Sequence, residues 1–288
     1  MEYRSGRSVQ RLLLSPLDKG SKAAQHTKGC VVHCLRIRIC FALMASTIFL
    51  SSPPAVAQTV EKGPVRTVLA LGRVPSVVDA PMSFKLSRVS IPGGTSAVYR
   101  GAHSLVYVVS GVITITVAND RRSLRPKEGT YLPAATDVTI HSSEGAAAEL
   151  LQYQLLRSTD VPIPAINGPA SVTELHQMKI PGDSLKPGPY EFSMTTVTLP
   201  AGASRPRPHT RSGAALYYVL ADGTITIWPS ANIDTLSGES RSESRRIGDI
   251  QEEPYGFIHS WSPKADVALV LLQANISQEG VPEIIFVK

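Results

Sequence analysis

Aromatic residues are scarce in this sequence, cysteine is absent beyond residue 40, and no apolar run is long enough to cross a bilayer. Each shortage removes a class of function. Phe, Tyr and Trp make up 6% of the 288 residues, too few to supply the exposed rings on which single-stranded nucleic acid is stacked. Cys30, Cys34 and Cys40 are the only thiols, so the chain after them has no thiol nucleophile, no thiolate metal ligand and no disulfide to form. The apolar stretch 39–50 is twelve residues long, whereas a spanning helix needs roughly 20. The net charge of +6 is also local: eight of the 29 Lys/Arg and two of the 23 Asp/Glu lie in residues 1–57, which leaves 21 of each sign in the remainder. A formally neutral body excludes a polyanion partner held by bulk charge, and no nucleic acid is expected.

What the first 57 residues do have is the sequence of parts found in an export signal. Arg36 and Arg38 precede the twelve-residue apolar core, and Ser-Ser-Pro-Pro then leads to Ala55-Val56-Ala57. A basic region, a short apolar core and a small-x-small cleavage site make a secretory signal peptide. Residues 1–57 are therefore expected to be a leader, with a mature chain beginning near Gln58, periplasmic or secreted and without a stable membrane anchor. Residues 1–30 are polar and lack periodicity, and Val31 or Val32 would serve as an alternative start.

From Val65 onward the chain reads as strands. Residues 68–71, 84–91, 105–109 and 112–117 are rich in β-branched side chains and bounded by Gly, Pro or Asn-Asp, while no ten-residue window carries a helical stripe. An internal repeat organises these strands. Phe84 to Gly94 (FKLSRVSIPGG) lies ungapped on Phe192 to Gly202 (FSMTTVTLPAG), and Tyr107 to Ile115 lies on Tyr218 to Ile227 with one extra residue in the second turn. The expected fold is all-β, with two copies of one barrel: residues 65–160, a Pro-rich linker at 161–170, and residues 171–288. Within the second copy, the polar run Ser230 to Arg246 is expected to be a surface loop.

The second copy carries His209, then an alternating strand and Gly223, and later Gly248, Pro254, Gly256 and His259 at the spacing G-x5-P-x-G-x2-H. This pairing resembles the two motifs of the cupin superfamily, G-x5-H-x-H-x3,4-E-x6-G and G-x5-P-x-G-x2-H-x3-N. The resemblance implies tandem cupin-type jelly-roll barrels, a bicupin, in which two hairpins aim alternate side chains at one interior point. It also implies a metal held by three histidines and a glutamate. Here His209 falls on the first His and His259 on the last, but Arg211 stands on the second His, Ala215 or Leu216 on the Glu, and Pro263 on the Asn. In the first copy Val138 stands where the second has His259, and the strand offset puts Val98 and Arg100 at the positions of His209 and Arg211, so that barrel reads as structural or dimerising. His103, His141 and His176 sit at no motif position and read as surface or turn residues.

Strand alternation puts Arg211 on the face of His209, with Tyr217 and Trp261 as further lining. A guanidinium about 4 Å from a cation costs roughly 4 kcal/mol at an effective dielectric of 20, and Arg cannot release its proton. With no acidic ligand visible at Ala215 or Leu216, no metal is favoured: His209 and His259 are the only candidate ligands, and a divalent ion would be held weakly. The same charge suits an anion. The leading expectation is an exported bicupin that binds a small anionic or hydroxylated ligand through His209, Arg211, Tyr217, His259 and Trp261, as a monomer or homodimer. A metal-dependent dioxygenase, decarboxylase or sugar isomerase, as the resemblance implies, and a purely structural pair of barrels remain as alternatives.

Overall fold

The computed structural model describes residues 63–75, 80–160, 166–182 and 185–288; the signal-peptide reading and all three cysteines fall outside them. Every regular element among the described residues is a strand. The first ten are β1 (Val65–Val74), β2 (Met82–Ile91), β3 (Ser96–Tyr99), β4 (His103–Ser110), β5 (Ile113–Val117), β6 (Asp120–Leu124), β7 (Gly129–Leu132), β8 (Val138–Ser142), β9 (Ala148–Arg157) and β10 (Ile166–Asn167). The second ten are β11 (Ser171–Ile180), β12 (Tyr190–Leu199), β13 (His209–Arg211), β14 (Ala214–Ala221), β15 (Gly223–Ile227), β16 (Arg241–Arg245), β17 (Ile250–Glu253), β18 (His259–Pro263), β19 (Leu269–Gln278) and β20 (Ile284–Phe286).

Four five-stranded antiparallel sheets result. The orders β11-β2-β9-β4-β7 and β10-β3-β8-β5-β6 enclose the first barrel, and β1-β12-β19-β14-β17 and β16-β15-β18-β13-β20 the second. Exchanging each strand for its counterpart ten places along converts one barrel into the other. The architecture is all-β: two tandem jelly-roll barrels of the cupin type. The repeat is visible down to single turns. Gly94 and Gly202 both adopt positive φ, 71° and 69°, in turns closed by Thr95 N donating to Pro92 O and Ala203 N to Pro200 O. Glycine occupies that conformation without the Cβ clash other residues would incur.

The strand pairings cross the linear division read from the sequence. β1 pairs along its length with β12 of the second barrel, and β11 pairs with β2 of the first, so each half lends its leading strand to the other. The expected linker at 161–170 is not all spacer either, because Ile166–Asn167 pair with Tyr99 and Val98, the counterpart of β20 on β13. Of the expected loop at 230–246, the last residues Arg241–Arg245 pair with β15 and form the counterpart of β6. Polarity misled the sequence reading there: an edge strand exposes most of its side chains, so it carries no apolar alternation.

Four apolar clusters follow among the described residues, the smallest being Trp228, Ile258 and Val287. Val89, Tyr99, Ile113, Leu132 and Ile140 are among those filling the first barrel, and Val197, Val219, Ile225 and Leu271 the apolar end of the second. The largest cluster lies between the barrels, where Phe84, Leu105 and Tyr153 of one central sheet meet Phe192, Leu216 and Leu272 of the other. Phe84 and Phe192 occupy equivalent positions in the repeat and stack with ring centroids 5.8 Å apart. Neither half is therefore closed without its partner's strand and face. We expect the two barrels to unfold in one transition, and Phe192→Ala to cost about 3–5 kcal/mol. Calorimetry resolving two separate transitions would contradict this coupling.

Candidate functional site

The polar centre of the second barrel is built where β13 lies between β18 and β20. His209 is directly opposite His259 on one side and Phe286 on the other, and its ring meets that of His259 with centroids 4.5 Å apart. Arg211 follows two residues later on the same face, as strand alternation requires. Pro206 and Pro208 fix extended backbone on the approach and withhold amide donors from it. Both imidazoles are turned the same way. His209 Nδ1 donates to the Arg207 carbonyl at 3.0 Å and His259 Nδ1 to the Phe257 carbonyl at 3.1 Å, which leaves each Nε2 facing the interior.

A carboxylate absent from the sequence reading organises this centre. Glu253, at the end of β17, is fully buried. Its Oε2 accepts from Arg211 Nε at 2.9 Å and its Oε1 from Trp261 Nε1 at 2.8 Å. His259 Nε2 lies 2.7 Å from Oε1, off the axis of a directed hydrogen bond. Arg211 Nη2 also donates to the Tyr217 hydroxyl, which donates to Gln273 Oε1 at 2.9 Å. Gln273 Nε2 reaches Glu283 at 3.3 Å, and Glu283 receives Ser193 Oγ at 2.9 Å and Arg66 Nη2 at 2.5 Å. The network thus runs from His259 to β1, the strand borrowed from the other half.

All five sequence-predicted residues, His209, Arg211, Tyr217, His259 and Trp261, are brought together and buried. The charge argument built on Arg211 is nevertheless corrected: its charge is offset by Glu253, so it is not a free anion clamp. Glu253 was legible only in part. The run Ile250-Gln-Glu-Glu253 alternates, but nothing local says which of two adjacent glutamates points inward. The register decides it, placing Glu253 opposite Ala215 and turning Glu252 outward to His176 at 2.6 Å. That contact, Tyr131 on His103 and Ser96 on His141 account for the other three histidines among the described residues.

Cross-strand partners also correct the equivalences in the first barrel. Strands β6 to β9 match β16 to β19 at a constant spacing of 121 residues, which sets Leu132 on Glu253 and Val138 on His259. Tyr99 pairs with Val138 and Val138 with Val117, as His209 pairs with His259 and His259 with Ile227. Tyr99, Leu132 and Val138 therefore stand where the second barrel has His209, Glu253 and His259. Val138 is where the sequence reading placed it, whereas Val98 and Arg100 are each one residue out, and Arg100 is exposed and paired with Asp137. The chain from His209 to the start of β14 is one residue longer than that from Tyr99 to the start of β4, which explains the slip, since moving a strand by one residue reverses its faces. The first barrel's loss of the site stands, with apolar or phenolic residues at these three positions.

Burial would raise the Glu253 carboxyl, but the charges of His259 and Arg211 and the His259 contact hold it well below the usual carboxylate range. His209 is pushed down to about 3, first by burial and then by the charges of His259 and Arg211, so near neutrality it is an uncharged ring whose Nε2 accepts. Burial pushes the Tyr217 hydroxyl far up, and it stays protonated. Arg211 Nη1, sealed from solvent, has no partner. A divalent metal does not fit these residues. Two imidazoles remain, but both oxygens of the one carboxylate are already held by Arg211 and Trp261, and a guanidinium stands at the next ligand position. Among the described residues, no group of three or more His, Cys, Asp or Glu is arranged to hold a metal.

No family model matches the chain, and no curated protein does. Solved structures of oxalate decarboxylase are similar to it. One, a study of a reaction specificity switch in that enzyme, is 12% identical over 79% of this chain and 76% of its own, with a TM-score of 0.48. The Bacillus subtilis enzyme, described with Mn(II) centres, is 14% identical over 75% and 74%, with a TM-score of 0.47. The Lactobacillus farciminis enzyme in a formate complex is 13% identical over 74% and 88%, with a TM-score of 0.45.

Two expectations test the site. Glu253→Leu strands a buried guanidinium and should lose about 3–5 kcal/mol in urea denaturation. Arg211→Tyr with Glu253→Leu, which replaces the ion pair by uncharged residues, should recover most of it; no recovery would show that the pair has no uncharged substitute here. Stability should also fall in acid. The His209 ring binds a proton more readily unfolded than folded, so its contribution is full above pH 6.5 and declines as pH falls towards about 3. The Glu253 contribution is full above its unfolded value and is lost further down. At about 1.4 kcal/mol per pKa unit the His209 part is a few kcal/mol. His209→Gln should flatten the melting temperature between pH 6.5 and 4, and an unchanged slope would contradict the assignment.

Proposed function

We propose that the protein is an exported binding protein whose second barrel holds a small anionic or hydroxylated molecule at the His209–Arg211 end of its interior, acting outside the cytoplasm without a bound metal. The observation that carries this reading is the buried, unpartnered Arg211 Nη1 in a polar centre that the otherwise matching first barrel fills with Tyr99, Leu132 and Val138. Burying an ion pair does little for stability compared with apolar packing of the same volume, so a centre kept only for rigidity would gain nothing from an unused donor. A ligand oxygen accepting from Nη1 would satisfy it.

The neighbouring groups suit such a ligand. Glu253 accepts from Arg211 and Trp261 while His259 lies against it. Two basic groups around one carboxylate favour an electron-rich ligand atom. His209 Nε2 stands ready as an acceptor, and a hydroxyl can donate to it while accepting from Arg211, the double role that neither a bare anion nor an apolar group can fill.

Purified protein titrated calorimetrically with glycerate, tartrate and gluconate, and with the matching polyols glycerol, threitol and sorbitol, should bind at least one of the six in a 1:1 complex. The Arg211→Tyr/Glu253→Leu protein should lose roughly 10- to 100-fold in affinity, the scale of a charge-assisted hydrogen bond. Failure of all six, or binding that survives the double substitution, would overturn the reading and leave a structural pair of barrels.

A further inference from the structure

The rim of the same site carries a cation that the buried network does not use. Arg207 is exposed and two residues before His209. Its Nη2 donates to the Val287 carbonyl at 2.9 Å, and its guanidinium lies over the Phe286 ring, 5.5 Å from the centroid. Neither contact supplies negative charge, whereas Arg66, Arg73, Arg211 and Arg245 each have a carboxylate within ion-pair distance. The side chain is nonetheless held in place, by a carbonyl and an aromatic face. The other face of the arrangement meets the site: Phe286 packs edge-on against His209 with centroids 6.1 Å apart, and the Arg207 carbonyl accepts from His209 Nδ1. Arg205, the next basic residue outward, lies over Trp228 and bonds Thr226, and it takes no part in this rim.

Resting on the binding reading above, we infer that the ligand is a hydroxy acid, with its carboxylate at Arg207 and a hydroxyl between His209 Nε2 and Arg211 Nη1. The chemistry of three groups fixes the class. Arg207 offers a fork with no anion, His209 offers an acceptor, and Arg211 offers one donor. A hydroxyl satisfies the second and third together, and a carboxylate satisfies the first. Phe286, 51% exposed and against both the Arg207 guanidinium and the His209 ring, provides an apolar wall for the intervening carbons. A cation at the rim also acts on encounter more than on retention, so its effect should fall mainly on the association rate and weaken with salt.

The test compares each acid with its polyol, by calorimetry and stopped-flow, in the unaltered protein and in Arg207→Gln and Arg207→Lys. The expected result is that the acid binds at least roughly tenfold more tightly than its polyol. Arg207→Gln should bring the acid down to the polyol's level through a slower association rate and leave polyol binding unchanged, and Arg207→Lys should restore part of the loss. Acid and polyol binding equally, or an acid preference untouched by Arg207→Gln, would overturn this inference while leaving the binding reading intact. Absence of binding by every acid and polyol would overturn both.

Discussion

Everything polar in the second barrel depends on one buried carboxylate. Glu253 is removed from water, and an uncompensated charge there would cost several kcal/mol. Three groups make its burial tolerable: Arg211 Nε, Trp261 Nε1 and the His259 ring. Each is itself constrained by the carboxylate. Arg211 is turned so that Nη2 meets Tyr217 and Nη1 is left over, and the His259 ring stands against His209. The neutrality of His209 follows from the same cluster, because burial first, and then the neighbouring His259 and Arg211, disfavour a proton on its ring.

The two barrels show what one frame can do with different fillings. Their strands correspond one to one and their sheet orders are the same. In the first, Tyr99, Leu132 and Val138 close the interior with side chains that belong to one apolar cluster. In the second, the same positions hold two imidazoles and a carboxylate. The first barrel contributes to the site all the same, since β1 is paired into the second barrel and delivers Arg66 to Glu283. Through Gln273 and Tyr217 that contact reaches Arg211. Folding of the two halves and order at the site are therefore linked by a strand that belongs to one half in sequence and to the other in space.

Both imidazoles of the site are turned alike, with Nδ1 on a carbonyl two residues earlier, an arrangement that also serves metal ligation. Beside them Arg211 supplies positive charge from the protein itself, neutralised in part by Glu253.

What was legible in the sequence was local or periodic. Alternation in Phe84–Ile91, the Pro-Gly-Gly and Pro-Ala-Gly turns, the repeat and the spacing from Gly248 to His259 are all encoded within a few residues of one another. They were enough for two barrels and for five residues that converge. What only the tertiary structure decided was non-local. The partner of β1 lies more than a hundred residues away, and no pattern within β1 names it. One residue of register determines whether Glu252 or Glu253 enters the barrel, and whether Val98 or Tyr99 stands in for His209. A strand's own sequence shows which side chains share a face; which face is inward, and what it meets there, is set by the neighbouring strands.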